Sequence, residues 1–318
     1  MKKAYLILAH KGPEQVHRLI EKLDDGTSFF YVHIDTKSDI RQFESLNLFS
    51  DKLQFVPRAK ADWGSLGIVE AMLNGLRAIR QADRGAEHFI LLSGQDYPIK
   101  SNSHIDRFLS ENKKKIFLEY FSLPDPAKWK PNGGLYRVNK YYMGLDFRQR
   151  YTAKAVNLAA RFLPFLRRKV YNSMKPYAGS MWWILDKEAL NYILDFVDGH
   201  PGYWAFHRFT FAPDEVFFHT ILLNAAKGAL SSEIINNDRR FIRWKDMSAS
   251  HPELIGRHYF EELKATEALF ARKFDQAVDP DILDLIDDHF LTREKQVQPL
   301  SSNPTILTTE APTHETIF

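Results

Sequence analysis

Four short apolar segments within the first hundred residues constrain the fold more than any other feature of this chain. The segments 14–23 and 65–80 between them carry apolar residues three and four positions apart, which predicts amphipathic helices. Strands that alternate with helices join through right-handed crossovers into a parallel sheet. The sequence therefore predicts an α/β fold with a mostly parallel central sheet flanked by helices. The four predicted strands are residues 3–10, 29–35, 52–56 and 88–93.

Polar residues follow three of these predicted strands. Ligands of parallel sheets bind beyond the carboxyl ends of the strands, so His10, Asp35 and Asp96 should face one crevice. The Asp35 carboxylate either accepts hydrogen bonds from a nucleotide or caps the loop that follows it. Trp63 lies in another loop after a strand, where it is equally ambiguous when taken alone.

The middle of the chain differs from both ends. Residues 113–177 are rich in Lys, Arg, Tyr and Pro and lack periodicity, which predicts a variable insertion in a single domain at 1–291. Within it, residues 152–171 form either a helix on an anionic membrane surface or a lid packed on the domain. Residues 292–318 are polar, which predicts a disordered tail. Further strands are predicted at 180–185 and 240–244, and further helices at 187–197, 212–226, 260–270 and 281–289.

Composition argues against several classes of protein. The chain has no cysteine, which favours a reducing interior and so a cytoplasmic location. The apolar run at 4–9 is too short for a signal segment, and no run approaches the ~20 apolar residues that cross a bilayer. A net charge of +3 is too mild to indicate a nucleic-acid partner. The P-loop, GxGxxG and GxSxG motifs are absent, which argues against an ATPase, a dinucleotide enzyme and an α/β-hydrolase.

Two adjacent carboxylates are the strongest candidates for acid–base chemistry. Asp214 and Glu215 lie at the predicted start of a helix, where negative charge complements the helix dipole. Local signals favour this capping role, but the two phenylalanines that follow could desolvate one carboxylate enough to make it a base. His219 lies four residues after Glu215 and could pair with it on one helix face. The spacing of these residues matches no metal-binding motif.

A second candidate cluster is basic. Arg239, Arg240 and Arg243 flank a predicted strand, and Arg272 precedes Lys273 in a later Phe-rich stretch. A guanidinium binds phosphate oxygens bidentately, and a lysine adds a point charge. Such residues suit an anionic ligand that is partly buried. Solvated surface charge is the alternative, and composition alone favours it.

Seven stretches of the chain, taken in order, resemble the family of core-2/I-branching β-1,6-N-acetylglucosaminyltransferases and peptide O-xylosyltransferases. Each stretch is weak alone, but seven in family order make the resemblance specific. It covers residues 3–290, with a poor match in the middle insertion. The stretches are YVHIDTKSD (31–39), ADWGSLGIVEAML (61–73), FILLSGQDYPIKSN (89–102), GSMWWIL (179–185), APDEVFFHTILLN (212–224), NNDRRFIRW (236–244) and LFARKFD (269–275).

The resemblance implies a GT-A fold and sugar transfer from a UDP-sugar with inversion, without a divalent metal. By matching position, Glu215 would be the general base, and Arg240 and Lys273 would neutralise the departing diphosphate. Asp35 and Trp63 would belong to the uridine and donor pocket. His10 and Asp96 are further donor-side candidates, and Ser180, Trp182, Asp214 and Arg243 are acceptor-side or secondary candidates.

Two of these assignments depend on local detail. Arg240 is selected by counting back from Trp244, and Arg239 and Arg243 stay open because the segment is one residue longer than the xylosyltransferase pattern. A metal-free site fits the lack of a strand-end D-x-D. The one literal match, at 279–281, opens a predicted helix and is interpreted as an N-cap.

The resemblance also implies the donor, but the acceptors of animal members cannot be carried over to this chain. The donor would be a UDP-sugar, with N-acetylglucosamine favoured and xylose the alternative. The acceptor would be a glycan or a lipid-linked glycan in surface-polysaccharide synthesis, with peripheral contact at the inner membrane face if residues 152–171 are interfacial. The absence of the cysteines of animal members indicates a bacterial, cytoplasmic relative. A protein that binds a nucleotide-sugar or a glycan without turnover is the competing interpretation.

Overall fold

The computed structural model describes residues 1–144, 146–245 and 251–291, so the predicted tail at 292–318 lies outside the described residues. The strands of the described residues are β1 (Lys3–Ala9), β2 (Ser28–Ile34), β3 (Leu53–Phe55), β4 (His88–Ser93), β5 (Asp96–Pro98), β6 (Lys115–Ser122), β7 (Tyr177–Asp186), β8 (Glu233–Ile235), β9 (Arg240–Ile242) and β10 (Phe270–Arg272). Their α-helices are α1 (Pro13–Leu23), α2 (Leu66–Ala82), α3 (Asn102–Glu111), α4 (Tyr136–Asn139), α5 (Phe147–Phe162), α6 (Lys187–Gly199), α7 (Pro201–His207), α8 (Phe217–Leu223), α9 (Phe260–Ala265) and α10 (Asp281–Ile286).

Seven strands form the central sheet in the order β3-β2-β1-β4-β7-β6-β8. β1 pairs in parallel with β2 and β4, β2 with β3, and β6 with β8. β7 is antiparallel to both of its neighbours, so the other six strands of this sheet all run in one direction. The predicted α/β fold with a mostly parallel sheet is confirmed. A second sheet, in the order β5-β10-β9, lies beyond the carboxyl end of β4.

The central sheet has a separate apolar core on each face, because successive side chains of a strand point to opposite sides. In β1, Tyr5 and Ile7 pack in the same core as helix α1, whereas Leu6 packs in the core that contains helices α2 and α6. Gly75 lets α2 approach β1 closely, since a Cβ at that position would overlap the Leu6 side chain. Each fully buried Leu or Ile stabilises the fold by about 1.5–3 kcal/mol. The sheet is thus fixed from both sides.

Several elements differ from the sequence prediction, and β6 and β10 show why. β6 lies inside the range 113–177 that was predicted as an insertion, and it pairs with β7 in the central sheet. Residues 260–270 were predicted as one helix, but α9 ends at Ala265 and Phe270 begins β10. The helix prediction is wrong at its end, because β10 gains strand pairing on both sides, with β5 and with β9. In neither case does the local pattern reveal a partner that is distant in sequence.

Candidate active site

The carboxyl ends of β1, β2 and β4 meet at one edge of the central sheet. Backbone hydrogen bonds join them, because the Asp35 N–H donates to the Ala9 carbonyl at 2.9 Å and the Gly94 N–H donates to the Leu8 carbonyl at 2.9 Å. His10 therefore follows β1 between the ends of β2 and β4. β7 runs in the opposite direction, so its first residues reach the same edge. This edge is the floor of the candidate site.

Asp35 connects this floor to the loop that carries Trp63. The Asp35 carboxylate is buried and accepts the Lys37 N–H at 2.8 Å. The Lys37 Nζ lies 3.7 Å from Asp35 and 2.7 Å from Asp62. Lys37 thus links Asp35 to Asp62, the residue that precedes Trp63.

A group of cations surrounds the end of β1. Burial lowers the pKa of the His10 imidazole, and the neighbouring charges of Lys11 and Lys273 lower it further. Burial also lowers the pKa of the Lys273 ammonium, with Arg272 and then Lys11 as the next causes. Lys11 is neutralised by Asp275, at 2.7 Å. In the described part of the chain no carboxylate lies within 4 Å of Lys273, so its charge is available to a bound anion.

Asp96 and Trp182 are brought together by Arg272. Asp96 is opposite Arg272 in the β5–β10 pairing, and its Oδ1 accepts the Arg272 Nε–H at 2.9 Å. The Ser93 hydroxyl donates to the same oxygen at 2.6 Å. The Arg272 guanidinium lies over the Trp182 ring, 4.3 Å from its centroid. Both Asp96 and Trp182 are buried, so they orient Arg272 and offer no exposed surface of their own.

Trp63 and Gly64 contact the turn that carries the candidate base. The Trp63 side chain is half exposed, and its ring lies 5.4 Å from the Phe211 ring. The Gly64 carbonyl accepts the Ala212 N–H at 3.0 Å. Gly64 has φ +73°, and a Cβ there would lie 3.0 Å from the Phe211 ring. The donor-side loop is therefore packed directly on the segment before Glu215.

Glu215 forms an ion pair with Arg137, a residue that the sequence analysis did not single out. The Arg137 Nη1 lies 2.5 Å from the Glu215 Oε2. Arg137 is buried and lies over the Trp129 ring, 3.7 Å from its centroid. Burial raises the pKa of Glu215, and the Arg137 charge opposes this effect. The result is a partly exposed carboxylate that is held in place by a fixed cation.

Asp214 and His219 flank Glu215 but do not bond to it. Asp214 is buried, and burial followed by the charge of Glu215 raises its pKa to about 7. The His219 Nε2–H donates to the Ser180 carbonyl at 2.9 Å, and burial lowers the pKa of His219 to about 4. The expected pairing of Glu215 with His219 is therefore wrong. Glu215 ends a short 3-10 turn, and α8 begins only at Phe217, so the two residues do not share a helix face.

Arg240 lies inside the protein and not on the surface of the crevice. Its Nη2 donates to the Leu91 carbonyl at 2.7 Å, and its Nη1 donates to the Asp238 carbonyl at 3.1 Å. Its guanidinium also covers the Phe270 ring at 4.5 Å. Asp238 in turn accepts the Ser180 hydroxyl at 2.6 Å, and burial raises the pKa of this carboxylate. Backbone carbonyls thus occupy much of the donor capacity of Arg240.

The other two arginines of this segment also have partners. Arg243 is ion-paired with Glu262 and lies near the Tyr259 ring. Arg239 lies over the rings of Phe108 and Phe117. Of the basic residues predicted to meet a diphosphate, Lys273 is the one whose side chain makes neither a hydrogen bond nor an ion pair within the described ranges, whereas the Arg240 guanidinium donates to two backbone carbonyls. Arg240, Arg239 and Arg243 all make other contacts.

The sequence patterns gave no basis for selecting Arg137, Trp129 or Asp238. The only available signal was the excess of basic and aromatic residues in 113–177, which has no periodicity to single one out. The D-x-D at 279–281 does cap a helix, because Asp279 accepts the Ile282 N–H at 3.2 Å. Across the described ranges, no three His, Asp or Glu side chains are grouped as metal ligands.

The chain is similar to one enzyme family model and to two human xylosyltransferases. The family model described as Core-2/I-Branching enzyme matches residues 3–264. Human Xylosyltransferase 2 is 26% identical over 308 residues, which cover 90% of this chain and 33% of that protein. Human Xylosyltransferase 1 is 24% identical over 305 residues, which cover 89% of this chain and 30% of that protein. The chain therefore spans about a third of the length of these relatives.

Solved structures give a much weaker likeness. The 4-diphosphocytidyl-2C-methyl-D-erythritol synthase of Anaerococcus prevotii aligns with 63% of this chain and 76% of its own. The TM-score is 0.32 at 12% sequence identity. A score this low carries no argument about the site.

Proposed function

We propose, because the chain belongs to the Core-2/I-Branching enzyme family, that it transfers a sugar from a UDP-sugar to a hydroxyl group of a glycan acceptor. In this proposal the transfer inverts the anomeric carbon in a single displacement. Such a reaction needs a base for the acceptor hydroxyl and positive charge for the departing diphosphate. The described residues supply one candidate for each need.

The observation that carries the proposal is the ion pair between Glu215 and Arg137, in the segment that packs against the loop of Trp63 and Gly64. A buried arginine at 2.5 Å favours the charged form of the carboxylate, which is the form that accepts a proton. A third of the Glu215 side chain remains exposed, so an acceptor hydroxyl can reach it. We assign Glu215 as the general base and Arg137 as the residue that positions it.

Lys273 is the candidate partner of the diphosphate. Two negative charges leave with UDP, and burying them without compensation would be costly. The Lys273 ammonium lies near His10 and Lys11 at the end of β1, and it lacks a carboxylate partner in the described ranges. Arg240 is better suited to hold this edge together from inside, because its guanidinium bridges β4 and the segment before β9. We therefore place the main phosphate contact at Lys273.

A continuous series of contacts joins the two groups. Lys273 and Asp35 both act on the charge of His10. Asp35 shares Lys37 with Asp62, and Asp62 precedes Trp63. From there, Trp63 contacts Phe211, and the Gly64 carbonyl accepts the N–H of Ala212, three residues before Glu215. This series of contacts connects the donor-side charge to the candidate base, which supports assigning both to one site.

In the proposed step, Glu215 takes the proton of the acceptor hydroxyl as the hydroxyl oxygen attacks the anomeric carbon. The bond from that carbon to the diphosphate oxygen breaks, and UDP leaves with the electron pair. Lys273 offsets the charge that develops on the diphosphate. General-base assistance of this kind contributes about 10²–10⁴ in rate.

Xylose is the first donor sugar to test. The relatives named above are xylosyltransferases, although they are only about a quarter identical to this chain. This reverses the ranking of donor sugars expected from the sequence, which placed N-acetylglucosamine before xylose. The acceptor class, a glycan or a lipid-linked glycan, is proposed on family grounds alone.

A donor panel with matched variants tests the proposal. Binding of UDP-xylose, UDP-N-acetylglucosamine and UDP would be measured by calorimetry, and release of free UDP by a coupled assay. Lys273→Gln should weaken UDP binding at least tenfold, whereas the control Lys113→Gln, at an exposed position outside the site, should not change it. No binding of any UDP-sugar, or equal binding by Lys273→Gln and the parent protein, would refute the donor assignment.

A further inference from the structure

Helix α5 exposes a stripe of large apolar side chains on the side that faces away from the protein. Phe147, Tyr151, Leu158 and Phe162 are each between 55 and 77% exposed. At about 100° of rotation per residue, these four positions fall within a sector of about 60° on one face of the helix. Ala153, the buried residue of α5, falls on the opposite side. The exposed stripe is therefore not the face by which the helix packs.

The apolar surface continues beyond the end of α5. Leu163 and Phe165 follow the helix and are also exposed, Phe165 by 80%. Half of the large apolar side chains that are exposed in the described ranges lie between residues 147 and 165. Scattered exposed apolar residues need no explanation, but a contiguous group marks a surface that binds something.

The same segment is strongly basic. Residues 146–171 contain seven Lys or Arg and a single acid, Asp146. Their charge of +6 exceeds the +3 of the whole chain, so the remainder is slightly acidic. By the same helical geometry, Arg150, Lys154 and Arg161 line one border of the apolar stripe and Arg148 lines the other. The face therefore combines an apolar centre with a cationic border.

We propose that the face formed by residues 147–165 docks on an anionic lipid bilayer. Aromatic and aliphatic side chains would enter the boundary between headgroups and acyl chains, and the flanking lysines and arginines would contact lipid phosphates. A soluble polyanion would use the charges and leave the apolar stripe exposed. The positive charges along both borders would strengthen binding to a protein partner only if the surface of that partner were acidic. No helix in the described ranges is long and apolar enough to cross a membrane.

Hydrogen bonds connect the docking face to the segment that contains Arg137, the ion-pair partner of the candidate base. Asn157 of α5 exchanges two hydrogen bonds of 2.8 Å with the backbone of Tyr141. Arg168 donates to the Arg137 carbonyl at 3.1 Å, and the Arg137 side chain pairs with Glu215. If the bilayer binds this face, the rim beside Glu215 lies close to the membrane. Resting on the proposed function, this narrows the acceptor to a glycan attached to a lipid.

Vesicle flotation of the full chain, without any sugar substrate, tests the docking itself. The parent protein should float with vesicles that contain phosphatidylglycerol and stay behind with pure phosphatidylcholine, and added salt should weaken the binding. Neutralising three border cations should lower the partition coefficient about 100-fold, on the order of fivefold for each charge. Replacing three stripe residues should lower it by a similar or larger factor. The variants are Arg148→Gln with Arg150→Gln and Lys154→Gln, and Phe147→Gln with Leu158→Gln and Phe162→Gln.

Control variants change exposed basic and apolar residues elsewhere on the surface. Arg107→Gln with Lys113→Gln and Lys227→Gln removes three charges, and Leu48→Gln with Val278→Gln removes two exposed apolar side chains. Both controls should bind vesicles like the parent protein, and circular dichroism should show that all variants are folded. Three results would overturn the proposal. These are no binding to anionic vesicles, binding that the stripe variant retains, and a concentration-dependent dimer that the stripe variant abolishes. Vesicle binding is measured without a sugar substrate, so a failure to bind UDP-sugars in the calorimetric panel would refute the proposed function without affecting the test of membrane docking.

Discussion

Replacing Arg137 by glutamine should move the acid side of the pH–rate profile toward neutral pH. Two unit charges about 4 Å apart interact by about 4 kcal/mol in surroundings typical of a protein surface. Because a third of the Glu215 side chain is exposed, screening leaves about 1–2 kcal/mol, roughly tenfold in its protonation equilibrium. Burial already raises the pKa of Glu215, and without the opposing Arg137 charge that pKa rises further. The apparent pKa of the acid limb of kcat/KM should therefore increase by about one pH unit. At pH values above that pKa, kcat/KM should fall little.

Two further variants separate this effect from a general loss of structure. Arg137→Lys keeps the charge but loses the stacked guanidinium over Trp129, so its acid limb should stay near that of the parent enzyme. Lys128→Gln removes a positive charge that pairs with Glu119, at 3.7 Å, instead of with Glu215. The acid limb of its pH–rate profile should therefore not shift. The assay is UDP release across pH at limiting donor. An unchanged limb in Arg137→Gln, or the same shift in Lys128→Gln, would show that Arg137 does not control the base.

Asp214, Gly64 and the metal requirement can each be tested separately. Burial raises the pKa of Asp214 to about 7, so between about pH 4 and pH 7 the folded protein holds a proton that the unfolded chain has lost, and stability falls as pH rises through that window. Asp214→Asn should reduce that decline in a series of thermal melts, leaving the part that the raised pKa of Glu215 contributes; a parallel decline in both proteins would contradict the assignment. Gly64→Ala should lower the melting temperature more than Gly26→Ala. Both glycines have positive φ, but only at Gly64 would the added Cβ lie close to the Phe211 ring, so equal melting shifts would count against this contact. Excess EDTA should leave transfer intact, and a loss that Mn²⁺ restores would overturn the metal-free expectation.

The central sheet was predictable because its strands are locally obvious. β1, β2 and β4 are apolar runs between clear helices, and the topological rule for parallel sheets brings His10, Asp35 and Asp96 to one edge. β6 escaped prediction because it follows a run of lysines, and its place is decided by pairing with β7, far along the chain. The three-residue strand β10 carries too little pattern of its own to be distinguished from the end of the preceding helix.

The site was predictable only where a residue's neighbours in sequence define its role. Glu215 is partly buried, and burial raises its pKa in the direction that a base role requires, while a third of its side chain stays exposed. Its partner Arg137 comes from a segment nearly eighty residues earlier, and no spacing rule connects the two. The same limit applies to Arg240. Basic residues that alternate with aromatic ones in sequence are compatible with a phosphate site, but only tertiary packing shows that this guanidinium bonds to the Leu91 carbonyl.

Single-turnover transfer by Glu215→Gln is the most direct measurement of the central claim. The amide keeps the size of the side chain but cannot take a proton, so UDP binding should stay within about twofold of the parent protein while transfer falls by about 10²–10⁴. Transfer at a near-normal rate, with UDP bound normally, would show that the acceptor proton goes elsewhere.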